Sequence, residues 1–474
     1  MPRLAIVLAS TLAIVPSSGI AADSGELTRL TSHISPEYLM KTVRDLALFE
    51  GRQSGTPSGD AAATYITARL PDATRQPFPV KTAQIDTPLR AEIQMAERSV
   101  PLHIGQDFLP TVSAASVEKI SAAVVFVGYG IGMPNQGLDE YARLSVSGKV
   151  VLFLRGQPQG FAGRVTHGDK VNTARAKGAV AYLTVTGPLL SPYEQRRGMS
   201  AKPLILYEGA SVAALPGLWI DPAVAEAILK PAGLSLRAFQ EDMDQALTAR
   251  SSETGTSITI EMRSRRYDAT ASNVLAWWPG SDPELGKEAI ILGAHHDHFG
   301  TQGGLVFPGA DDNASGTAIL LEIARALSTT GIRPKRSILF LSFAGEEQGL
   351  LGSRLYVSHP ASPLKTVKAM VNVDHAGVGN GKLTVGLSKI EKAVAQAAAE
   401  KAAMGDKLEL FGLFPGGDHV PFAEAGIPTA TIVTSGPHPD FHQPTDRPDK
   451  INPDLLAAVT RYTMALVWAL ANEP

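Results

Sequence analysis

EAIILGAHHDHFG, residues 288–300, is followed after a short gap by PGADDNASGTAILLEIARALS, residues 308–328. The first stretch reads as a strand whose apolar run ends abruptly in His295, His296, Asp297 and His298. The run is continuous rather than alternating, as expected for a strand covered on both faces. In the second stretch, Asp311 and Asp312 fall where an amphipathic helix begins. RSILFLSFAGEE (336–347), KAMVNVDHAG (368–377) and PTATIVTSG (428–436) repeat the pattern, and DLLAAVTRYTMALVWALAN (454–472) reads as a long terminal helix. Apolar strands alternating with helices predict an α/β domain from about residue 255 to the end.

Each of those strands runs into residues that bind metal. Beyond the first cluster come Glu346 and Glu347, then Asp374 and His375, and after the last strand His438 and His442. Singly, each has an ordinary reading: a loop histidine, an N-cap cluster, a solvated pair of glutamates. Together they place carboxylates and imidazoles at one edge of one sheet, outside the carboxyl ends of its strands, where open α/β sheets carry their sites. The chain has no cysteine, so a metal must be held by His, Asp and Glu, a ligand set suited to catalytic zinc or a related ion. Several carboxylates with two or three histidines suit a pair of ions roughly 3.5–4 Å apart sharing a bridging carboxylate.

Composition narrows the alternatives. The chain has 474 residues, 44% hydrophobic and 19% charged, with a formal net charge of -3. That length predicts two or more compact units. The charge balance, with no block of like charges, argues against nucleic acid as a partner, whose binders normally carry a basic face. Arg3, the apolar run Leu4–Val15 and the small residues SSGIAA at 17–22 have the layout of a signal peptide. Residues 1–22 are expected to be removed, giving a periplasmic or extracellular protein, and no other stretch reads as long and apolar enough to span a bilayer.

Ahead of the α/β region, residues 23–109 read as two helices around FEGRQSGTPSGD (49–60), then short strands such as LRAEIQM (89–95). Residues 110–254 have a different texture. AAVVFVGYG (122–130) and GKVVLFLRG (148–156) are β-rich runs bounded by glycine. NTARAKGAVAYLTVTG (172–187) is a helix passing into a strand, and helices are expected around Pro222–Leu247. No cluster of His, Asp and Glu marks this part, which reads as an inserted accessory domain.

These motifs resemble the two-zinc aminopeptidases of metallopeptidase family twenty-eight. The resemblance implies a mixed, mostly parallel sheet flanked by helices, the zinc exopeptidase fold, with two Zn2+ per chain. GAHHDHFG would supply His295 as the first ligand and Asp297 as the carboxylate that orients it. GADDNASG would make Asp311 the bridging ligand. GEEQGLLGS would give Glu346 as general base and Glu347 as ligand; NVDHAG and DFHQPTDRPDKI would give Asp374 and His442. The implied reaction is hydrolysis of N-terminal residues from peptides with a free amino terminus, by a metal-bound hydroxide with Glu346 taking the proton. VGYGI (127–131), YARLSVSGKVVLFLRG (141–156) and DKVNTARAKGAVAYL (169–183) are similar to the protease-associated domain often inserted in this family.

The chain departs from the family pattern at His375, where a hydrophobic residue is usual, and at Gly417, where serine often precedes Asp-His. Rival readings are a carboxypeptidase of the same family, with Arg354 as a candidate carboxylate-binding residue, and an inactive binding protein on the same scaffold. The full ligand set weighs against the second, and against a glutaminyl cyclase.

Overall fold

The computed structural model describes residues 24–95, 98–113, 117–190, 200–208, 215–361 and 366–473. The expected leader, residues 1–22, lies outside them. Two large sheets organise the chain.

The first sheet has eight strands, β1 (Thr74–Ile85), β2 (Ser264–Trp278), β3 (Ala289–His295), β4 (Ser337–Phe343), β5 (Val367–Val373), β6 (Leu383–Ser388), β7 (Leu408–Phe411) and β8 (Thr429–Thr434). Their spatial order is β1-β2-β4-β3-β5-β8-β6-β7. The centre is parallel, with β3 between β4 and β5 and β5 beside β8; β1, β2 and β6 pair antiparallel. Every residue of β3 and β4 is buried, which explains their unbroken apolar runs. One face packs on helices Pro36–Ala47, Gly316–Thr330 and Pro453–Asn472 through residues such as Leu39, Leu320 and Leu466. The other packs on Leu351–Ser358 and His419–Glu424 through Leu341, Tyr356, Met370 and Phe422. The sequence-based expectation about spans needs correction here: Pro453–Asn472 is long and apolar enough to cross a membrane by length and composition. Its apolar side chains, among them Leu456, Val459, Tyr462 and Val467, are instead buried in this core.

The second sheet has nine strands. Val150–Leu154, Ala181–Val185 and Gly217–Ile220 run parallel at its centre. Ser252–Met262 pairs antiparallel with Val117–Phe126 on one side and Arg90–Met95 on the other. This sheet therefore reaches from Arg90 to Met262, beyond the expected 110–254 at both ends. The strand within LRAEIQM belongs to it rather than to the first sheet, because its partner is the returning strand Ser252–Met262. The chain crosses back directly: Ser252–Met262 ends one residue before β2 begins.

Candidate metal centre

The carboxyl ends of β3, β4, β5 and β8 meet at one edge of the first sheet. β3 ends at His295, the turn after β4 carries Glu346 and Glu347, Asp374 follows β5, and the loop after β8 carries His438 and His442. The loop before the helix Gly316–Thr330 enters between them. Its backbone is extended at Asp312 (φ -110, ψ 94), so the neighbouring carboxylates of Asp311 and Asp312 point to different surroundings.

Asp312 lies at the centre. Its Oδ1 is 3.3 Å from His295 Nε2, and its Oδ2 is 3.1 Å from His442 Nε2. On one side Asp374 Oδ1 is 3.4 Å from His295 Nε2; on the other Glu347 Oε2 is 3.5 Å from His442 Nε2. One carboxylate thus joins two groups of nitrogen and oxygen atoms spaced to hold cations. Two of the three such groups among the described residues share Asp312: His295 with Asp374, and His298 with Glu347.

Asp311, expected from sequence as the shared carboxylate, is not at this junction. Its Oδ1 accepts from the Gly377 N–H at 2.7 Å and its Oδ2 lies 2.7 Å from His438 Nδ1. The pair Asp-Asp carries no local signal saying which member faces inward. Asp446 fixes the choice by accepting the N–H groups of Asp311 and Asp312 at 2.9 and 3.1 Å.

The surrounding contacts orient these groups. His295 Nδ1 is 3.2 Å from the main-chain oxygen of Asp297 and 3.7 Å from its Oδ1. That Oδ1 accepts from the Glu346 N–H at 3.1 Å, so the Asp297 carboxylate holds Glu346 more closely than it holds the imidazole. His298, which sequence reading left without a role, lies with Nδ1 2.7 Å from Glu347 Oε1. His375 and His442 both adopt positive φ, 45° and 55°, conformations that non-glycine residues hold only where the surroundings impose them.

Arg52, from the glycine-rich loop between helices Pro36–Ala47 and Pro57–Thr67, is also part of the frame and was missed in the sequence. It is fully buried. Its Nε donates to His296 O at 2.8 Å and its Nη2 to Gly309 O at 2.8 Å, while Nη1 reaches Leu46 O and Pro308 O. One guanidinium thereby ties the loop after β3 to the loop carrying Asp312. Burial lowers it to about 10, with Asp446, Asp312 and Asp297 pulling the other way, so it stays cationic at neutral pH.

The electrostatics call for cations. Burial would discharge His295, yet Asp374, Glu346 and Asp312 hold it well above its ordinary range. Burial pushes Glu346 well above the usual carboxylate range, opposed by His295 and reinforced by Asp418 and Asp374. Asp374 Oδ1 and Asp297 Oδ2 are buried with no hydrogen-bond partner. Buried carboxylate oxygens without a hydrogen bond are costly unless an ion satisfies them, and imidazole with carboxylate is the donor set of a divalent cation site. The residues fit such ions.

Residues 273–467, the span carrying this edge, match peptidase family M28. This region belongs to family M28. Over 99% of its length the chain is 24% identical to aminopeptidase YwaD of Bacillus subtilis, covering 93% of that protein. Leupeptin-inactivating enzyme 1 of Streptomyces exfoliatus is 32% identical over 169 residues, 35% of this chain and 36% of that relative. Among solved structures, the aminopeptidase from Aneurinibacillus sp. strain AM-1 superposes with a TM-score of 0.66 at 21% identity, covering 94% of this chain and 97% of its own. The peptidase M28 precursor from Shewanella amazonensis gives 0.69 at 21% identity, covering 94% and 96%. The fold of these two structures thus extends over both sheets of this chain.

Proposed function

We propose that this protein is an exported two-zinc aminopeptidase that removes N-terminal residues from peptides. The observation that carries the reading is the division of the Asp312 carboxylate, one oxygen toward His295 and the other toward His442. His295 and Asp374 would hold one ion, His442 and Glu347 the other, with Asp312 shared. The same division favours Asp312 over Asp311 as the bridging residue. Bound there, the ions would supply Lewis acidity to lower the pKa of a water and polarise the scissile carbonyl.

Glu346 is the general base. Its carboxyl group takes the proton of the attacking water and returns it to the departing amine. Asp297 positions Glu346 through its backbone N–H. Beside the centre lies a cavity of about 340 Å³, walled by Leu204, Phe411, Leu413, Phe414, Phe441 and His375. A largely apolar pocket next to the reacting centre, with Arg155, Lys202 and Glu409 also on its wall, suits the side chain of a hydrophobic N-terminal residue. The names of relatives, aminopeptidase YwaD above all, support cleavage at the amino end. The second sheet is read as a protease-associated-type accessory unit.

The test is hydrolysis of aminoacyl-p-nitroanilides, each paired with its N-acetylated form. Cleavage of the free-amine forms alone, abolished by chelator and restored by zinc, is expected. Cleavage of C-terminally unblocked, N-blocked peptides instead would turn the reading to a carboxypeptidase.

A further inference from the structure

Among the described residues, the second unit meets the metal centre at a residue that would hold an ion. His442 faces Asp312 and Glu347 with Nε2. Its other nitrogen, Nδ1, lies 2.9 Å from the main-chain oxygen of Ile205, and the Ile205 N–H donates to His442 O at 3.2 Å. Gln443 adds a third bond from its side-chain nitrogen to Pro203 O. Two residues on, Tyr207 stacks on Phe299 with ring centroids 5.3 Å apart, and Phe299 lies 4.7 Å from the His442 ring. Leu206 and Tyr207 are themselves paired to Thr111 and Val112, so this clamp is an edge of the second sheet.

A neutral imidazole that binds an ion through Nε2 carries its proton on Nδ1, and the partner of that proton sets both tautomer and ring direction. For His295 the nearest such oxygen, that of Asp297, lies two residues away, just beyond the same strand. For His442 it comes from Ile205, 237 residues away in sequence. The two ion sites therefore differ: the His295 side is built wholly within the M28 region, and the His442 side is completed by the other unit.

We propose that the segment Pro203–Tyr207 is a positioning element for the His442-side ion, so that seating of the second unit controls occupancy of one of the two sites. The inference rests on the two-zinc reading above. It assigns the accessory unit a role in metal binding in addition to forming the Leu204 wall of the cavity.

Two changes test it in the full-length zinc-loaded protein. His442→Nδ1-methylhistidine keeps the Nε2 lone pair and removes the donor. Pro203→Gly combined with Leu204→Gly loosens the clamp without touching the centre. Zinc per chain and the affinity of each ion are read by chelator competition, alongside the thermal midpoint of chelator-stripped protein. Both variants should hold the first ion as the wild type does and bind the second about 10–100-fold more weakly; the methylhistidine variant should do so with an unchanged stripped midpoint, whereas loss of the buried Leu204 side chain lowers that of the double glycine variant. Wild-type affinity for the second ion in either variant would overturn the proposal. Equal weakening of both ions in the methylhistidine variant, together with a lowered stripped midpoint, would also overturn it by showing a general loss of stability. A wild-type protein that takes up fewer than two zinc ions would instead bring down the two-zinc reading itself.

Discussion

His295 ends a central strand of the first sheet, and His167 opens a helix packed on the second among the rings of Phe153, Tyr182 and Trp219. Burial works against the charged form of both. At His295 it is overcome by Asp374, Glu346 and Asp312, which hold the imidazole well above its ordinary range. At His167 it is unopposed, and with Lys170 and Arg155 adding to it the group falls to about 3. The carboxylate Glu208, near His167 through Tyr182, is likewise driven by burial, to about 8. Burial alone thus makes buried polar groups neutral. Opposite charges 3–4 Å apart turn the first edge into a centre for ions, and all three ion-sized groups among the described residues lie there.

The sharpest way to break that comparison is to remove the shared charge. Asp312→Asn should abolish uptake of both ions and reduce turnover below detection, because one oxygen serves each side. Asp311→Asn should keep both ions and lose about 10–100-fold, as for a residue acting through its neighbours. Metal content by mass spectrometry, measured beside turnover, decides it. Equal metal loss in the two variants would sink the assignment of Asp312. Next in size, Glu346→Gln should reduce kcat by about 10²–10⁴ with two ions still bound. A drop in zinc content would instead make Glu346 a ligand.

A smaller effect is expected at His298. Its Nδ1 holds Glu347 Oε1 and leaves Oε2 facing His442, so His298→Ala should weaken one ion by about 10–100-fold while sparing the other. Unchanged zinc affinity would show that the Glu347 carboxylate needs no such support.

Much of this edge is legible in the sequence, because β3, β4, β5 and β8 are apolar runs that stop at His, Glu or Asp, and a strand's end is a local signal. His295, Glu347, Asp374 and His442 come together as that signal implies. What is hidden depends on distant partners. Asp311 and Asp312 are equivalent until Asp446, far along the chain, fixes their backbone. Arg52 looks like a loop arginine until four carbonyls from three segments converge on it. The oxygen of Ile205 has no sequence signature, since every residue carries one. The second sheet's limits are hidden for the same reason: Arg90–Met95 reads as a strand, but its partner lies beyond residue 250.

The second unit offers the mildest test. A buried acid whose folded pKa is raised to about 8 from an unfolded value near 4.3 keeps its proton in the folded state after the unfolded chain has lost it. Stability then falls as pH rises through that window, because the folded state binds the extra proton. Glu208→Gln retains an acceptor for the Tyr182 hydroxyl and removes the titration. Its thermal midpoint should match the wild type near pH 4 and exceed it at pH 8. The comparison is best made on chelator-stripped protein, where the first edge makes no metal-linked contribution. A wild-type advantage that persists at pH 8 would mean that Glu208 is ionised and paired in the folded state. The second unit would then, like the first, answer burial with charge.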